Sequence, residues 1–496
     1  MPMPEEQLRS LPDPIRELYQ RLERDSIDRI CNRIDKIGKL SASDMYELKR
    51  LSEIGGDVDA IKSDIANTLK LSEQAVCDIY YTAAKTDYDF QRSTFDKLGL
   101  PWVPFDENPQ MLELVRSASA VTAASFVNMS STTGFIGDVS GTKPVLEAWK
   151  PLAKYYQDTV DYAVFQIRTG VEDYNSVMRQ TVRELSDNGL THIEYDNENK
   201  RYYRRRLDSS VRVAVSGGLQ RLHRSYMDAI GEMIGADGRE ISWHSGARPS
   251  HVDFAGRQFN MKDYEEICVP LLEDYNCYHR AFPIVLGISE PAHSDKELAE
   301  LNRLDHEPRP FEGRTYTMHE ATQKQRQLET AIRRQKDRAV AFGKAGISDD
   351  EKIALAKAAA LSEKYKQFSR AMGIDVKNTR VTVTGFTRSQ AARLGVITRN
   401  RNAIANLSGI TTTNGIVTKS TAHIADQAVK RGVSAKSIQE ALTNPINIGN
   451  IKTDSDSRPS QRFVGNNATV SINPDSGALV TAWKTGNSAR KKYGGD

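Results

Sequence analysis

Apolar residues recur at helical spacing along most of the chain. Ile15, Leu18, Leu22 and Ile30 share one helix face after Pro14, a residue that a first helical turn tolerates. Ile61, Ile65 and Leu69, then Val76, Ile79 and Tyr80, continue the period, so residues 12–95 predict helices. Ser41-x-x-Asp44 and Ser72 read as helix starts, and Ser43 to Leu51 with Gly55-Gly56 read as turns. Pro101 to Pro109 interrupts the pattern, and 110–133 predicts a less polar helix. A Gly-rich turn follows at Gly134 to Gly141, then a helix over 144–185. Thr191–Tyr195 and Tyr202-Tyr203 predict short strands around a turn at Asp196–Asn199, and a further helix opens near Asp208. Ile241–Trp243 predicts a strand.

Residues 296–370 predict long charged helices in an antiparallel pair, with Ser348-Asp-Asp-Glu351 as a capping box. After Gly373 the pattern changes. Val381–Gly385 is strand-like, Thr387–Gly395 a short helix and Asn400–Gly415 a polar linker. Two helices then precede an antiparallel hairpin that turns at Asn473-Pro-Asp-Ser-Gly477. The expected fold is multidomain and mainly α, with small α+β modules. The expected parts are a helical docking region (1–143), a core (144–295), a helical arm (296–375), a linker (376–409) and a C-terminal module (410–496).

Length and charge narrow this picture only slightly. The 496 residues suffice for two to four domains, and a formal net charge of +3 gives no global basic signal for nucleic acid. Four scattered cysteines do not make a disulfide scaffold. There is no apolar run of membrane-spanning length and the start lacks a signal-peptide pattern, so synthesis in a cytoplasm and no membrane partner are expected. The basic residues do cluster locally: Arg204, Arg205, Arg206 and Arg212 lie beside Tyr202 and Tyr203, a set that suits DNA phosphates or a solvated face.

The strongest chemistry is at 240–283. His244, His251, Cys277 and His279 form an N/S donor set of the kind zinc takes, although the spacing is not that of a standard finger. The alternative is a group of satisfied, partly buried histidines with a buried thiol. Four protein ligands would leave no open position, which reads as structural zinc. A metal-dependent nuclease centred on His244 and His251 would need more carboxylates than converge here.

His244-Ser-Gly-Ala-Arg-Pro-Ser-His251, then Gly256 and Phe259, then Asn276-Cys-x-His279-x-x-x-Pro283, resembles the signature block of the tailed-bacteriophage minor capsid proteins of type 2, relatives of the head-morphogenesis proteins of phage Mu. The resemblance implies a virion protein of the head interior or portal vicinity. Its implied partners are the portal protein, the major capsid protein and packaged DNA.

The C-terminal module carries a second resemblance. Thr421-Ala-His423, Arg431-Gly-Val-Ser, Asn473-Pro-x-x-Gly and Thr481-x-Trp-Lys-Thr485 are similar to phage-borne nuclease-like domains related to barnase, EndoU, colicins E5 and D and RelE. Gln427 stands where an arginine is usual. Metal-free RNA cleavage needs a base, an acid and a cation for the phosphorane. His423 would be base or acid, Arg431 or Lys484 the phosphate cation, and Thr481 a donor, acting on host RNA or tRNA. Three functions follow as expectations: a head protein with an RNase-like domain, a toxin-like RNase effector with a delivery region, or a structural protein whose nuclease-like domain is inactive.

Overall fold

A computed structural model describes residues 3–39, 45–136, 149–169, 171–196, 201–272, 277–455 and 457–494. The chain divides into two compact units, Met1–Gln323 and Lys324–Asp496. It is mainly helical with several small antiparallel sheets, as expected. Among the described residues no helix is long and apolar enough to cross a membrane.

The first unit is built on helices α1 (Asp13–Lys39), α2 (Met45–Phe90) and α3 (Pro109–Ser131). Asn108 caps α3, its side chain accepting from the Gln110 and Met111 amides, with Pro109 in the first turn. Strands β1 (Thr133–Ile136) and β2 (Trp149–Pro151) precede helices α4 (Leu152–Thr169) and α5 (Tyr174–Asn188). Strands β3 (Thr191–Asp196) and β4 (Arg201–Arg206) then complete a sheet of order β2-β1-β3-β4. Helix α6 (Leu207–Ile234) returns through the bundle, packing on α1, α2 and α3. Three helices meet at Tyr80, whose hydroxyl bonds Thr122 Oγ1 at 2.8 Å and donates to the Val215 carbonyl at 3.0 Å. A Cβ at Gly218 would lie 1.9 Å from that hydroxyl, so this crossing requires glycine.

Strands β5 (Gly238–Ile241), β6 (Gln258–Asn260) and β7 (Ala281–Ile284) form a second sheet of order β6-β5-β7. Helix α7 (Asp295–His306) and the hairpin of β8 (Arg309–Phe311) and β9 (Arg314–Tyr316) follow. Helix α8 (Met318–Lys344) spans the division between the units.

Several expectations change here. The turn expected at Gly55-Gly56 is absent, because α2 runs through both residues. They are exposed, with nothing near the position of a Cβ, so each costs only its propensity of about 1 kcal/mol. Ser72 is no helix start: it is buried mid-helix and donates to the Thr68 carbonyl at 2.7 Å. Ser41 to Asp44 and the turn at 197–199 lie outside the described residues. Gly134 sits in β1 rather than in a turn, where a Cβ would clash with the Lys150 carbonyl across the ladder. The helix expected over 144–185 is two, α4 and α5.

In the second unit α8 pairs antiparallel with α9 (Ser348–Met372). Gln325 Nε2 donates to Ser369 Oγ at 2.9 Å and Tyr365 to Glu329 at 3.0 Å. The capping box at Ser348 does not form. Glu351 is buried and turns away to accept from Gln390 Nε2 at 2.9 Å and Arg393 Nη1 at 2.8 Å. Both donors lie on α10 (Arg388–Ala405), which occupies most of the expected linker and itself starts with a Thr387–Gln390 capping box. Ile404 is fully buried in the C-terminal core, and Arg401 pairs with Asp426 at 2.5 Å. Val381–Gly385 is not a strand: Asn378–Val381 forms a 3-10 turn.

A hairpin of β10 (Ile410–Thr412) and β11 (Gly415–Val417), then helices α11 (Ala422–Lys430) and α12 (Ala435–Thr443), lead to the last sheet. Its strands are β12 (Asn447–Ile448), β13 (Lys452–Thr453), β14 (Pro459–Val464), β15 (Ala468–Ile472) and β16 (Leu479–Lys484). Ile424, Ala428, Ile438 and Leu442 pack on Phe463, Val470 and Ala482, giving this sheet one buried face.

The most demanding interaction of the first unit is the buried carboxylate of Asp87. It accepts from the Met3 amide at 3.0 Å, Arg280 Nη1 at 2.8 Å and the Tyr226 hydroxyl at 2.7 Å, while His223 Nδ1 lies 2.6 Å from that hydroxyl. Burial opposes its charge, but hydrogen bonding to His223 and the Arg280 guanidinium hold the carboxyl well below the usual range. Its stabilising contribution is therefore complete above about pH 4 and is lost as pH falls below that. Asp87→Asn, which strands Arg280 in the interior, should destabilise the first unit by about 3–5 kcal/mol in thermal or urea unfolding of the full chain. A loss under about 1 kcal/mol would show that the carboxylate is not a keystone.

Candidate metal centre

The ladder between β5 and β7 pairs Ile241 with Ala281. It continues as Ser242 N donates to the Arg280 carbonyl at 2.8 Å and Arg280 N to Ser242 Oγ at 2.9 Å. This extension carries Trp243 and His244 alongside Tyr278 and His279. Trp243 Nε1 donates to Asn302 of α7 at 2.9 Å, fixing the strand end.

From His244 the chain loops out and returns. Pro249–His251 forms a 3-10 turn, Ala255 N donates to the His251 carbonyl at 3.0 Å, and Gly256 N donates to the Ile241 carbonyl at 2.9 Å. Gly256 has φ +78°, and a Cβ there would lie 2.4 Å from Leu298 Cδ2. Only glycine closes this loop, which aims His251 at the segment holding His279.

His251, Cys277 and His279 are 1, 5 and 4% exposed. Their ligand atoms converge: His251 Nδ1 to His279 Nδ1 is 3.3 Å, Cys277 Sγ to His279 Nδ1 is 3.4 Å and Cys277 Sγ to His251 Nδ1 is 3.7 Å. Metal–nitrogen bonds of about 2.05 Å and a metal–sulfur bond of about 2.3 Å at tetrahedral angles place nitrogens about 3.3 Å apart and nitrogen and sulfur about 3.6 Å apart. The group is thus spaced to hold one metal ion. Burial, followed by the neighbouring His244 and His251, pushes the His279 imidazole down to about 2, which keeps it in the neutral form a metal requires. The other cysteine of this block, Cys268, packs among Ile241, Phe254 and Tyr264, and burial pushes its thiol up to about 11.

His244 is not within the converging group. Its ring stacks on His279 at 4.1 Å between centroids, and its Nδ1 lies 3.1 Å from the Ser245 carbonyl. Arg280, next to His279, is the residue that reaches Asp87. Nothing local in the sequence signals this link, because a lone Asp on a long helix carries no pattern of its own. A cavity of about 850 Å³ along α6 reaches Cys277, His279, His223 and Asp87.

The basic cluster is dispersed. Arg206 pairs with buried Glu23 at 2.7 Å, Arg212 Nη1 lies 3.4 Å from the Tyr278 hydroxyl, Arg205 lines the cavity and Arg204 is exposed. In the C-terminal module Arg431 Nη1 donates to Thr481 Oγ1 at 2.8 Å and to the Ala482 carbonyl at 3.0 Å. Lys484 lies against Gly432. Thr485 is buried and bonded to Thr469 and the Gly465 carbonyl. His423, exposed, sits in the first turn of α11 and Arg431 at its end. Eight residues of helix separate them by roughly 12 Å along the axis.

A family model described as Phage minor capsid protein 2 matches residues 3–372, which include the whole His/Cys block. No curated protein and no solved structure matches the chain.

Metal analysis of the purified chain should find about one equivalent of bound metal. Cys277→Ala should abolish binding and lower the melting temperature, since metal held only by the folded block supplies folding energy. The folded imidazole of His279 resists protonation, so its contribution is complete above about pH 6.5 and declines below it. Acidification from pH 7 to 5 should therefore lower the melting temperature, because the unfolded chain takes up the proton that folded His279 refuses. Metal-free protein whose melting is unchanged by added metal would contradict this.

Proposed function

The chain belongs to the phage minor capsid protein 2 family, a family of virion head proteins, and from that premise we propose that it is a structural protein of a tailed-phage head, held near the portal or on the inner capsid face. The observation that carries this is the continuous family match through 3–372 together with the buried donor group inside it. The helical part before residue 230 is the docking region for the portal or the major capsid protein. Tyr162 and Phe165 on α4, 45 and 59% exposed, supply apolar contacts of the kind a docked partner covers. Exposed Arg204 is the member of the basic cluster available to packaged DNA.

The metal is zinc in a structural role. The N/N/S donor set supports it, and His244 is the fourth ligand. With Nδ1 directed at the Ser245 carbonyl, the tautomer places the ligand role on Nε2. The metal then ties the loop at 244–256 to the segment 277–280 that leads into β7.

For the C-terminal module the first proposal is an RNase-like effector, with His423 as general acid or base, Arg431 and Lys484 on the phosphate and Thr481 as donor. Arg431 and Thr481 do meet. The separation of His423 from Arg431 favours a second proposal, a module that binds RNA without cutting it.

Heads purified from an infection should contain the chain, and a form lacking residues 1–150 should be missing from them; retention of the truncated form at the normal level would remove the docking proposal. Incubation of the full chain with total RNA in excess EDTA separates the C-terminal proposals. Cleavage that drops roughly 10²–10⁴-fold in His423→Ala supports catalysis. No cleavage by a folded chain leaves the binding module.

A further inference from the structure

Helices α11 and α12 cover one face of the last sheet, and the register defines what the opposite face presents. Arg462, Ser471 and Thr481 form one cross-strand row, and Val464, Thr469 and Trp483 form the next. The Arg462 guanidinium lies 5.5 Å from the centre of the Trp483 ring, reaching across the central strand. Ser471 and Thr469 are buried between the two outer strands. At the edge of β16, Arg431 wraps around to the Thr481 hydroxyl. Two arginines thus flank a row of hydroxyls, with an indole beside it.

The charge of the module agrees. Residues 410–496 hold eleven Lys and Arg against six Asp and Glu, a formal charge of +5, whereas the whole chain carries +3. The basic excess of this protein is therefore confined to its C-terminal module, the local footprint expected of a nucleic-acid site.

We propose that this sheet face binds single-stranded RNA, with a base stacking on Trp483, adjacent phosphates on Arg462 and Arg431, and the half-buried Thr481 hydroxyl facing a ribose hydroxyl. The inference deepens the RNA reading of the module and rests on it only for the choice of RNA; it requires no cleavage and does not use His423. Stacking on an indole tolerates any base, so the site is sequence-tolerant. A duplex hides its bases and cannot use the indole. The Thr481 hydroxyl is what would separate RNA from DNA.

The test uses the full chain and fluorescent ten-nucleotide oligo-U, oligo-dT and an RNA duplex of the same length, read by fluorescence polarisation. Oligo-U should bind more tightly than oligo-dT or the duplex. Trp483→Ala should weaken oligo-U binding by about 5–100-fold, and Trp483→Phe should restore most of it. Arg462→Ala should weaken binding and flatten the slope of log affinity against log salt by about 0.7 for each phosphate no longer neutralised. Unchanged melting of the variants assigns the weaker binding to the site itself. Oligo-dT bound as tightly as oligo-U, or Trp483→Ala and Arg462→Ala without effect, would overturn the proposal. Cleavage followed on the same samples distinguishes the two readings: binding without cleavage removes only the RNase, and cleavage without Trp483-dependent binding removes only this site.

Discussion

The first unit depends on satisfying one charge in its interior. Asp87 has almost no water, and each of its contacts arrives from a different part of the chain: the backbone at Met3, Tyr226 on α6 and Arg280 beside β7. A buried carboxylate without partners costs several kcal/mol, so these segments cannot drift independently. Arg280 also donates to the Met3 carbonyl at 2.6 Å, which makes the guanidinium a bridge rather than a simple counter-ion. Such a pair contributes little net stability over an apolar core of the same shape, but it admits only one arrangement of the segments that meet there.

That constraint reaches the donor group through a single peptide bond. His279 immediately precedes Arg280 in the segment that leads into β7. Arg280 anchors this segment to Asp87 of the helical bundle, and His279 meets His251 and Cys277. The loop that supplies His251 is closed by Gly256 against Leu298, so the packing of the fold itself brings both halves of the donor set together.

Much of this was legible in the sequence, and the exceptions share a cause. The donor residues stood out because His and Cys at close spacing carry chemistry in their identity, and the long helices stood out because their period is local. What failed was punctuation. Gly55-Gly56 suggested a turn and Ser72 a cap, yet both lie inside α2, where packing along a 46-residue helix outweighs local preference. Ser348 and Glu351 had the spacing of a capping box, but Glu351 is used by Arg393 and Gln390 from another helix. The stretch around Asn400 looked like a linker because its polar residues are used internally. Asn400 accepts from the Ala435 amide and donates to the Val433 carbonyl, serving the turn between α11 and α12.

The same logic governs the C-terminal module. The resemblance groups His423, Arg431, Thr481 and Lys484, and of these Arg431 bonds Thr481. Helix α11 sets His423 apart: its start carries His423, and its end carries Arg431 towards the outer edge of β16. Arg431 then belongs with the residues that the strand register gathers, Thr481 in its own row and Trp483 and Arg462 beside it. The Arg462 guanidinium over the Trp483 indole ties the two outer strands across β15. Strand register and the Arg431–Thr481 bond thus gather Arg431, Thr481, Trp483 and Arg462, while His423 stands one helix length away.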